Sequence, residues 1–505
     1  MTVVSEESVE KQRVPDWVIL AIACVAQFMV VLDVSIVNVA LPSIGRDLHY
    51  SSTGLQWVVN AYVLTFAGFL LLGGRAADLF GRRKVYLAGL ALFTIASLAG
   101  GLAQNSGWLT GARAVQGIGG AILSPATLTI IVTTFSGARM ARALGIWSAV
   151  AGAGGATGAL LGGVLTAEIS WRWVLFVNIP IGVAGTVAAL TYLTELRRPA
   201  ADGRAPRLDV AGAVTVTAGL GALIYAIVGT DTHPWGSTHT LSLLGASLAL
   251  LVVFAVIELK VATTPLVPFR LFHSRPVTGA NVVMLLVGGA FFSFWYFLSL
   301  YLQTVLGYDA LRAGLAFIPM SLAIIIGAQT SSRLIDRIGV RPMLQAGTLV
   351  AAVGFAWLTA IHAHSGYWGS VFGPASLVSL ALGLLFTPLA SAATAGVHYS
   401  EAGLASGVLN TARQMGGSLG LAVLATIAID RTHSALHHSA AAPVALTDGY
   451  SRAFLVAAFI SVGALAASFL VPAIRRGAGA GEAVPVGQQA VAEGDPNPVP
   501  SLDPA

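Results

Sequence analysis

The chain has 505 residues, of which 56% are hydrophobic and only 10% charged, against roughly 25% charged in an ordinary globular protein. With a mean hydropathy of +0.80, it carries too little charge to cover the surface of two or three soluble domains. A single cysteine, Cys24, excludes a disulfide scaffold, and the net charge of +5 follows a membrane pattern rather than marking a nucleic-acid partner.

A bilayer core about 30 Å thick needs about 20 apolar residues per helix. Fourteen such stretches are predicted, beginning with Trp17–Leu41, Thr53–Leu72, Val85–Ala103, Trp108–Val132, Ala143–Thr166, Val174–Leu193 and Val210–Val228. The second seven are Leu241–Ile257, Val277–Leu302, Ala313–Ser332, Met343–Ile361, Val371–Ala393, Ala405–Ile429 and Phe454–Val471. With the N-terminus in the cytoplasm, 20 of the 27 basic residues fall on the inner side, five on the outer side, and Arg113 and Arg413 inside spans. That asymmetry obeys the positive-inside rule and supports an even count, with both ends cytoplasmic. The first span follows Lys11 and Arg13 and exceeds a signal peptide's apolar length, so it is expected to stay as an anchor. Residues after Arg476 read as a disordered tail. The longest outer loop, between spans 13 and 14, holds His433, His437 and His438, a solvated loop in the plainer reading and a metal site in the sharper one.

Two segments repeat. Arg333, Asp336, Gly339 and Arg341 each lie 258 positions beyond Arg75, Asp78, Gly81 and Arg83. Gly407, Gly416, Gly417 and Gly420 lie 262 positions beyond Gly145, Gly154, Gly155 and Gly158. These offsets pair span 1 with 9, 2 with 10 and 5 with 13, leaving 7 and 8 as an inserted pair. The expected organisation is a tail (1–16), a six-helix bundle (17–198), the inserted helices with their loops (199–275), a second six-helix bundle (276–474) and a tail (475–505). Parallel six-helix halves are a transporter architecture, with the substrate between them near the midplane.

Ionisable residues inside a membrane are expensive and mark functional sites. Three occur: Asp33, Arg113 and Arg413. Asp33 lies roughly 12 Å from the outer end of span 1, and Arg113 about 8 Å from the outer end of span 4. Taking a carboxylate out of water disfavours its charged form, which suits a reversible proton carrier; a standing ion pair with a neighbouring arginine is the alternative. Arg113, Gln116, Gly117, Gly120 and Ser124 share one helix face, made for a cavity or for a polar seam between helices.

Span 5 carries a ladder of Gly154, Gly158 and Gly162 beside a second one of Ala151, Gly155, Ala159 and Gly163, spacing that lets helix backbones approach closely. The loop from Gly73 to Lys84 holds one acid among basic residues, and the acid recurs as Asp336. A charge clamp between helix ends is one reading and a positive-inside anchor the other. Asn410, Arg413, Gln414 and Gly417 share a face of span 13, and span 9 bears an aromatic run that includes Trp295 and Tyr296. With Asn38 and Gln116, the residues Trp295, Tyr296, Asn410, Arg413 and Gln414 are candidates to line a cavity for a lipophilic or cationic molecule. Core packing explains the aromatics equally well.

Together these motifs resemble the major facilitator superfamily, in particular its fourteen-span drug:proton antiporter branch, over roughly Trp17 to Val471. The stretch Leu32-Asp33-Val34-Ser35-Ile36-Val37-Asn38-Val39-Ala40-Leu41-Pro42 is similar to the branch's first-helix motif, whose acid is implicated in coupling or in handling cationic substrate. The stretch Gly73 to Lys84 resembles the superfamily's loop 2–3 motif; the resemblance implies a gating role for Gly74, Asp78, Gly81, Arg82, Arg83 and the repeat's Asp336. Arg113-Ala114-Val115-Gln116-Gly117 resembles the fourth-helix motif, whose arginine is linked to proton transfer. Gly154, Gly155, Gly158, Gly162 and Gly163 resemble the fifth-helix antiporter motif, except that Ala159 stands where that motif has proline. Trp171-Arg172-Trp173 with Phe176-Val177-Asn178-Ile179-Pro180 is a further signature of the branch.

What the resemblance implies is an all-α major facilitator fold in the plasma membrane and proton-coupled export of lipophilic drugs or antibiotics. It implies the proton gradient as energy source, no cofactor, no metal and no nucleic-acid partner, lipid around the helices, and function as a monomer. A dedicated exporter or importer of one endogenous metabolite, a self-made antibiotic for instance, is the alternative. An enzyme is disfavoured, because the formal G-x-S-x-G match at Gly416 to Gly420 lies mid-helix rather than at a strand–turn–helix elbow. An ATP-driven pump is excluded within this chain, since the lysines Lys11, Lys84 and Lys260 follow Glu10, Arg83 and Leu259 and none completes a P-loop.

Overall fold

The computed structural model describes residues 15–135, 137–193, 208–262, 265–267, 269–364, 366–397 and 402–473; a few side chains inside helices, that of Asp78 among them, lie outside that description. The described chain is helical throughout. In order, the long helices are α1 (Asp16–Asp47), α2 (Trp57–Phe80), α3 (Arg82–Gly101), α4 (Ser106–Thr134), α5 (Gly137–Glu168), α6 (Asn178–Tyr192) and α7 (Val210–Val228). They continue as α8 (Thr238–Val256), α9 (Arg275–Leu300), α10 (Ile318–Ile338), α11 (Val340–Leu358), α12 (Phe372–Ala393), α13 (Ala402–His437) and α14 (Ala442–Ser468). Short helices Ser52–Leu55, Trp173–Phe176 and Ala310–Ala316 lead into α2, α6 and α10.

Among the described residues, twelve helices are long and apolar enough to cross a membrane, which makes this a multi-pass membrane protein. The two long helices outside that set are α5 and α11. Several side chains of α5 lie outside the description, while in α11 Arg341, Pro342 and Gln345 fill the first turns.

Several helices outrun the apolar stretches that announce them, because a helix continues into water where its side chains turn polar. α1 extends to Asp47 and α2 to Phe80. The expected loop after span 13 is mostly helix: α13 runs to His437 and α14 begins at Ala442, so His433 and His437 ride on the last turns of α13. Helices α1 and α9 start at Asp16 and Arg275, slightly before the boundaries drawn from hydropathy.

The internal repeat is visible in the packing. Gly154 and Gly158 of α5 lie against the α1 backbone at Phe28 and Leu32, where added Cβ atoms would stand 3.0 Å from Phe28 O and 2.8 Å from Leu32 O. Gly416 and Gly420 of α13 lie in the same way against Leu285 and Gly289 of α9. The two loop glycines also match, with Gly81 at φ 93° and Gly339 at φ 90°, a backbone region closed to most L-residues.

The two halves of the chain touch at more than one level: Gly407 of α13 lies against Leu71 of α2, 2.9 Å from a Cβ position, and α5 meets the segment that leads into α10. A Cβ on Gly163 of α5 would stand 2.6 Å from Ala310 O, and one on Gly314 would stand 2.4 Å from Ala159 O. Ser299 donates to the carbonyl of Asn38 (2.7 Å) and Gln303 to that of Val39 (2.9 Å), tying α9 to α1. Toward the opposite end of α5, Gly145 has nothing within 4 Å of its Cβ position. Helix α7 packs on α2 through Thr217 at Gly68, and Thr426 of α13 donates to Ile227 O (3.4 Å), so α7 flanks the contact between α2 and α13.

Candidate functional site

Asp33, in the middle of α1, is wholly buried (0% exposed) and Arg113 of α4 nearly so (2%). Arg113 Nη1 donates to Asp33 Oδ2 at 2.6 Å and to Gln116 Oε1 at 2.7 Å, while its Nε donates to the carbonyl of Val58 (3.2 Å). The guanidinium lies 4.4 Å from the centroid of the Tyr62 ring, which holds it flat between α1 and α2.

The other carboxylate oxygen meets only amides. Asp33 Oδ1 accepts from Gln116 Nε2 (2.7 Å) and from Asn178 Nδ2 (3.0 Å). Both amides also donate to the Ser97 hydroxyl, at 3.2 and 3.0 Å, and Ser97 passes its own proton to Leu175 O (2.8 Å). Three donors, one of them carrying a full positive charge, therefore replace the water that Asp33 has lost. In this state the second of the two sequence readings describes Asp33: it is ion-paired with Arg113.

The helix contacts explain why the cluster forms. Close approach of α5 through Gly154, Gly158 and Gly162 packs the α1 backbone at Phe28, Leu32 and Ile36, on either side of Asp33, and Ser35 donates to Gly155 O (2.6 Å). On α4, Gly117 lets the backbone of Tyr62 come within 2.3 Å of a Cβ position. Ser124 further along the same face donates to Gln27 of α1 (3.1 Å). The Arg113–Ser124 face is thus a seam against α1 and α2. The five motif glycines of α5 divide into groups: Gly154, Gly158 and Gly162 pack tightly on the α1 backbone, Gly163 faces Ala310, and Gly155 meets α1 more loosely, its Cβ position 4.0 Å from Val31.

The remaining sequence candidates lie elsewhere. Arg82 donates to Thr133 Oγ1 at the end of α4, and Arg83 to Leu190 O at the end of α6 (2.7 Å). Gly74 stands beside Pro125 of α4, 3.5 Å from a Cβ position, and Asp336 is exposed on the matching turn of the second repeat. The side chain of Asp78 lies outside the described residues. Asn38 is half-buried where α1 meets α9 and donates to Val34 O of its own helix (3.0 Å).

On α13, Asn410 and Arg413 are half-buried and Gln414 is buried, with Gln414 Oε1 and Arg413 Nε lacking partners. Among the described residues no hydrogen bond joins this patch to the Asp33 cluster. Tyr296 packs on Phe297, which meets Tyr450 and Phe454, so this part of the aromatic run is core of the second repeat. Trp295 is half-buried against Phe294 and Phe317.

Asn178 and Ser97 were not singled out by their chemistry. Ranking intramembrane residues by charge passes over amides and hydroxyls. The available signal is that Asn178 is the only amide in the span from Val174 to Leu193.

Chains similar to this one are found among known proteins. The chain is 44% identical over 460 residues to the cephamycin export protein CmcT of Amycolatopsis lactamdurans, covering 90% of this chain and 93% of that one. It is 39% identical over 454 residues to the puromycin resistance protein pur8 of Streptomyces alboniger, covering 89% of each. Its fold matches a bacterial homologue of the human lysosomal transporter Spinster, solved in an inward-facing and unoccupied conformation. There the TM-score is 0.62 at 18% identity, over 92% of this chain and 98% of that one. Residues 23–421 match the Major Facilitator Superfamily. This chain belongs to the Major Facilitator Superfamily and is a transporter rather than an enzyme.

Proposed function

We propose that this protein is a proton-coupled antiporter that exports lipophilic antibiotics or drugs from the cytoplasm by alternating access. The observation that carries the reading is the Asp33–Arg113 pair, a carboxylate and a guanidinium 2.6 Å apart inside a membrane-spanning bundle. A proton taken up by Asp33 cancels one charge of the pair and frees Arg113. Deprotonation restores the pair, so the two protonation states favour different helix arrangements. In this reading Gly74, Asp78, Gly81, Arg82, Arg83 and Asp336 govern the switch between arrangements. The α13 patch, Asn38, Gln116 and Trp295 face the transported molecule as the halves part.

The same reading counts α5 and α11 as spans. That makes fourteen, six in each of two bundles with α7 and α8 inserted, in the plasma membrane of the cell and with both ends in the cytoplasm. The end sealed by Asn38, Gly163 and Ala310 is then the outer one. The protein works as a monomer surrounded by lipid, without a cofactor, on the proton gradient.

A second reading, a dedicated exporter of one compound, is favoured by the relatives' names, each of which specifies a single antibiotic: cephamycin in one and puromycin in another. Expression in an efflux-deficient host separates the two. Raised resistance to puromycin, to a cephamycin and to ethidium together marks a broad exporter, and resistance to one compound a dedicated exporter. In either case a protonophore is expected to abolish extrusion. Extrusion that persists with the proton gradient collapsed contradicts antiport, and accumulation above the vector control marks an importer.

A further inference from the structure

The two oxygens of Asp33 have different partners, and the difference assigns them different tasks. Oδ2 faces a charge, Arg113 Nη1. Oδ1 faces two neutral amide N–H groups, from Gln116 on α4 and Asn178 on α6, and both amides are held in turn by the Ser97 hydroxyl of α3. All four side chains are buried, from 0% exposed for Asp33, Ser97 and Asn178 to 1% for Gln116. We propose that Asn178 is a positioning residue for proton exchange: with Gln116 it pins Oδ1 through two amide donors and reserves Oδ2 as the oxygen that trades Arg113 for a proton.

The chemistry balances without further participants. When Arg113 withdraws, hydronium gives a proton to Oδ2 and leaves as water, the carboxylate becomes a carboxylic acid, and Oδ1 becomes its carbonyl oxygen. A carbonyl oxygen has two lone pairs, so it keeps both amide hydrogen bonds unchanged. Protonation at Oδ1 would instead set the new O–H against two N–H donors and forfeit at least one of those bonds. Asn178 also stays in place without Arg113, because Ser97 anchors it and Ser97 is itself anchored on Leu175 O. Asp33 is thereby kept aimed through the exchange, and its protonation state is linked to α6 as well as to α4.

The groups that bear on this exchange are few. From α4 comes Arg113, and from α2 comes the Tyr62 phenol, whose ring lies under the guanidinium. Against α1, α5 brings glycine backbone, its own titratable residues Arg139, Arg142 and Glu168 lying in its end turns. On α6 the only titratable residue is Tyr192, at the far end of the helix from Asn178. From α9 the nearest polar contacts reach Asn38 and Val39 rather than Asp33.

This inference rests on Asp33 being the proton carrier, so the test reads that point separately. The purified full-length protein is titrated by infrared difference spectroscopy, with Asp33→Asn as the reference that identifies the Asp33 carboxyl C=O band. In Asn178→Leu, of similar volume but without an N–H, the anion loses one donor. The Asp33 C=O band of the protonated form is then expected to move to higher wavenumber as its carbonyl loses a hydrogen bond. Ser97→Ala, which loosens the amide without removing it, is expected to shift the band in the same direction by less, and it decides the matter if Asn178→Leu does not fold. An unchanged band position in the folded variants overturns the positioning role. A wild-type titration that loses no band in Asp33→Asn overturns the carrier reading instead.

Discussion

Replacing Asp33 by asparagine is expected to abolish concentrative efflux while leaving passive equilibration of the same compound. Asparagine keeps the shape and can still meet Gln116 and Asn178, but it neither carries a proton nor balances Arg113. The guanidinium, 2% exposed, is then a buried charge without a partner, and removal of one member of a buried pair costs about 3–5 kcal/mol. A clear loss of thermal stability in detergent is therefore expected together with the loss of transport. The double variant Asp33→Asn with Arg113→Met separates these effects. It removes both charges, so stability is expected to return to within about 1 kcal/mol of wild type while uphill efflux stays absent. Efflux that survives in the single variant would assign the coupling to another residue. A double variant no more stable than the single one would mean that the pair contributes little to the fold.

The second large effect belongs to Gly158. Its Cα faces the α1 backbone so closely that a Cβ would lie 2.8 Å from Leu32 O and 2.8 Å from the Ser35 Cβ. Neither neighbour is a flexible side-chain end, so Gly158→Ala has to push α1 and α5 apart next to Asp33. Overpacking of this kind costs about 1–3 kcal/mol, and the displacement reaches the carboxylate whose partners are set at 2.6 to 3.0 Å. Stability and coupled efflux are both expected to fall. Gly145→Ala on the same helix is the control, since nothing lies within 4 Å of its Cβ position; its stability is expected to stay within about 0.5 kcal/mol. Thermal unfolding and efflux assays on the two variants check this. Equal behaviour would mean that the close approach of α1 and α5 does not matter.

Much of this arrangement was legible from the chain. Burial of charge in a bilayer is so costly that Asp33 and Arg113 identify themselves, and helical spacing places Gln116 one turn beyond Arg113. The glycine ladder of α5 points to close helix contact for the same kind of reason, since small residues leave room that only another backbone can fill. What the spacing did not tell was the partner of each face. Gly158 and Gly163 look alike in sequence, yet one packs on α1 within its own repeat and the other on Ala310 across the boundary between repeats.

The sequence marks Asn178 only as part of a signature and does not mark Ser97, for a different reason: neutral polar residues are common enough in apolar helices that only three-dimensional proximity shows these two beside Asp33. The helix ends were misjudged where hydropathy stops being informative. Between Ile429 and Phe454 the sequence turns polar, but its backbone remains helical to His437 and resumes at Ala442, because leaving the membrane relaxes the demand for apolar side chains without ending the helix.

The most direct measurement is proton flux through purified protein in proteoliposomes. A gradient of a compound the protein extrudes is imposed with no pH difference, and a trapped pH dye reports the response. Wild type is expected to move protons against the direction of the compound, and Asp33→Asn to move none at equal protein content. Proton flux of wild-type size in Asp33→Asn would contradict the assignment of Asp33 as the group that carries the proton.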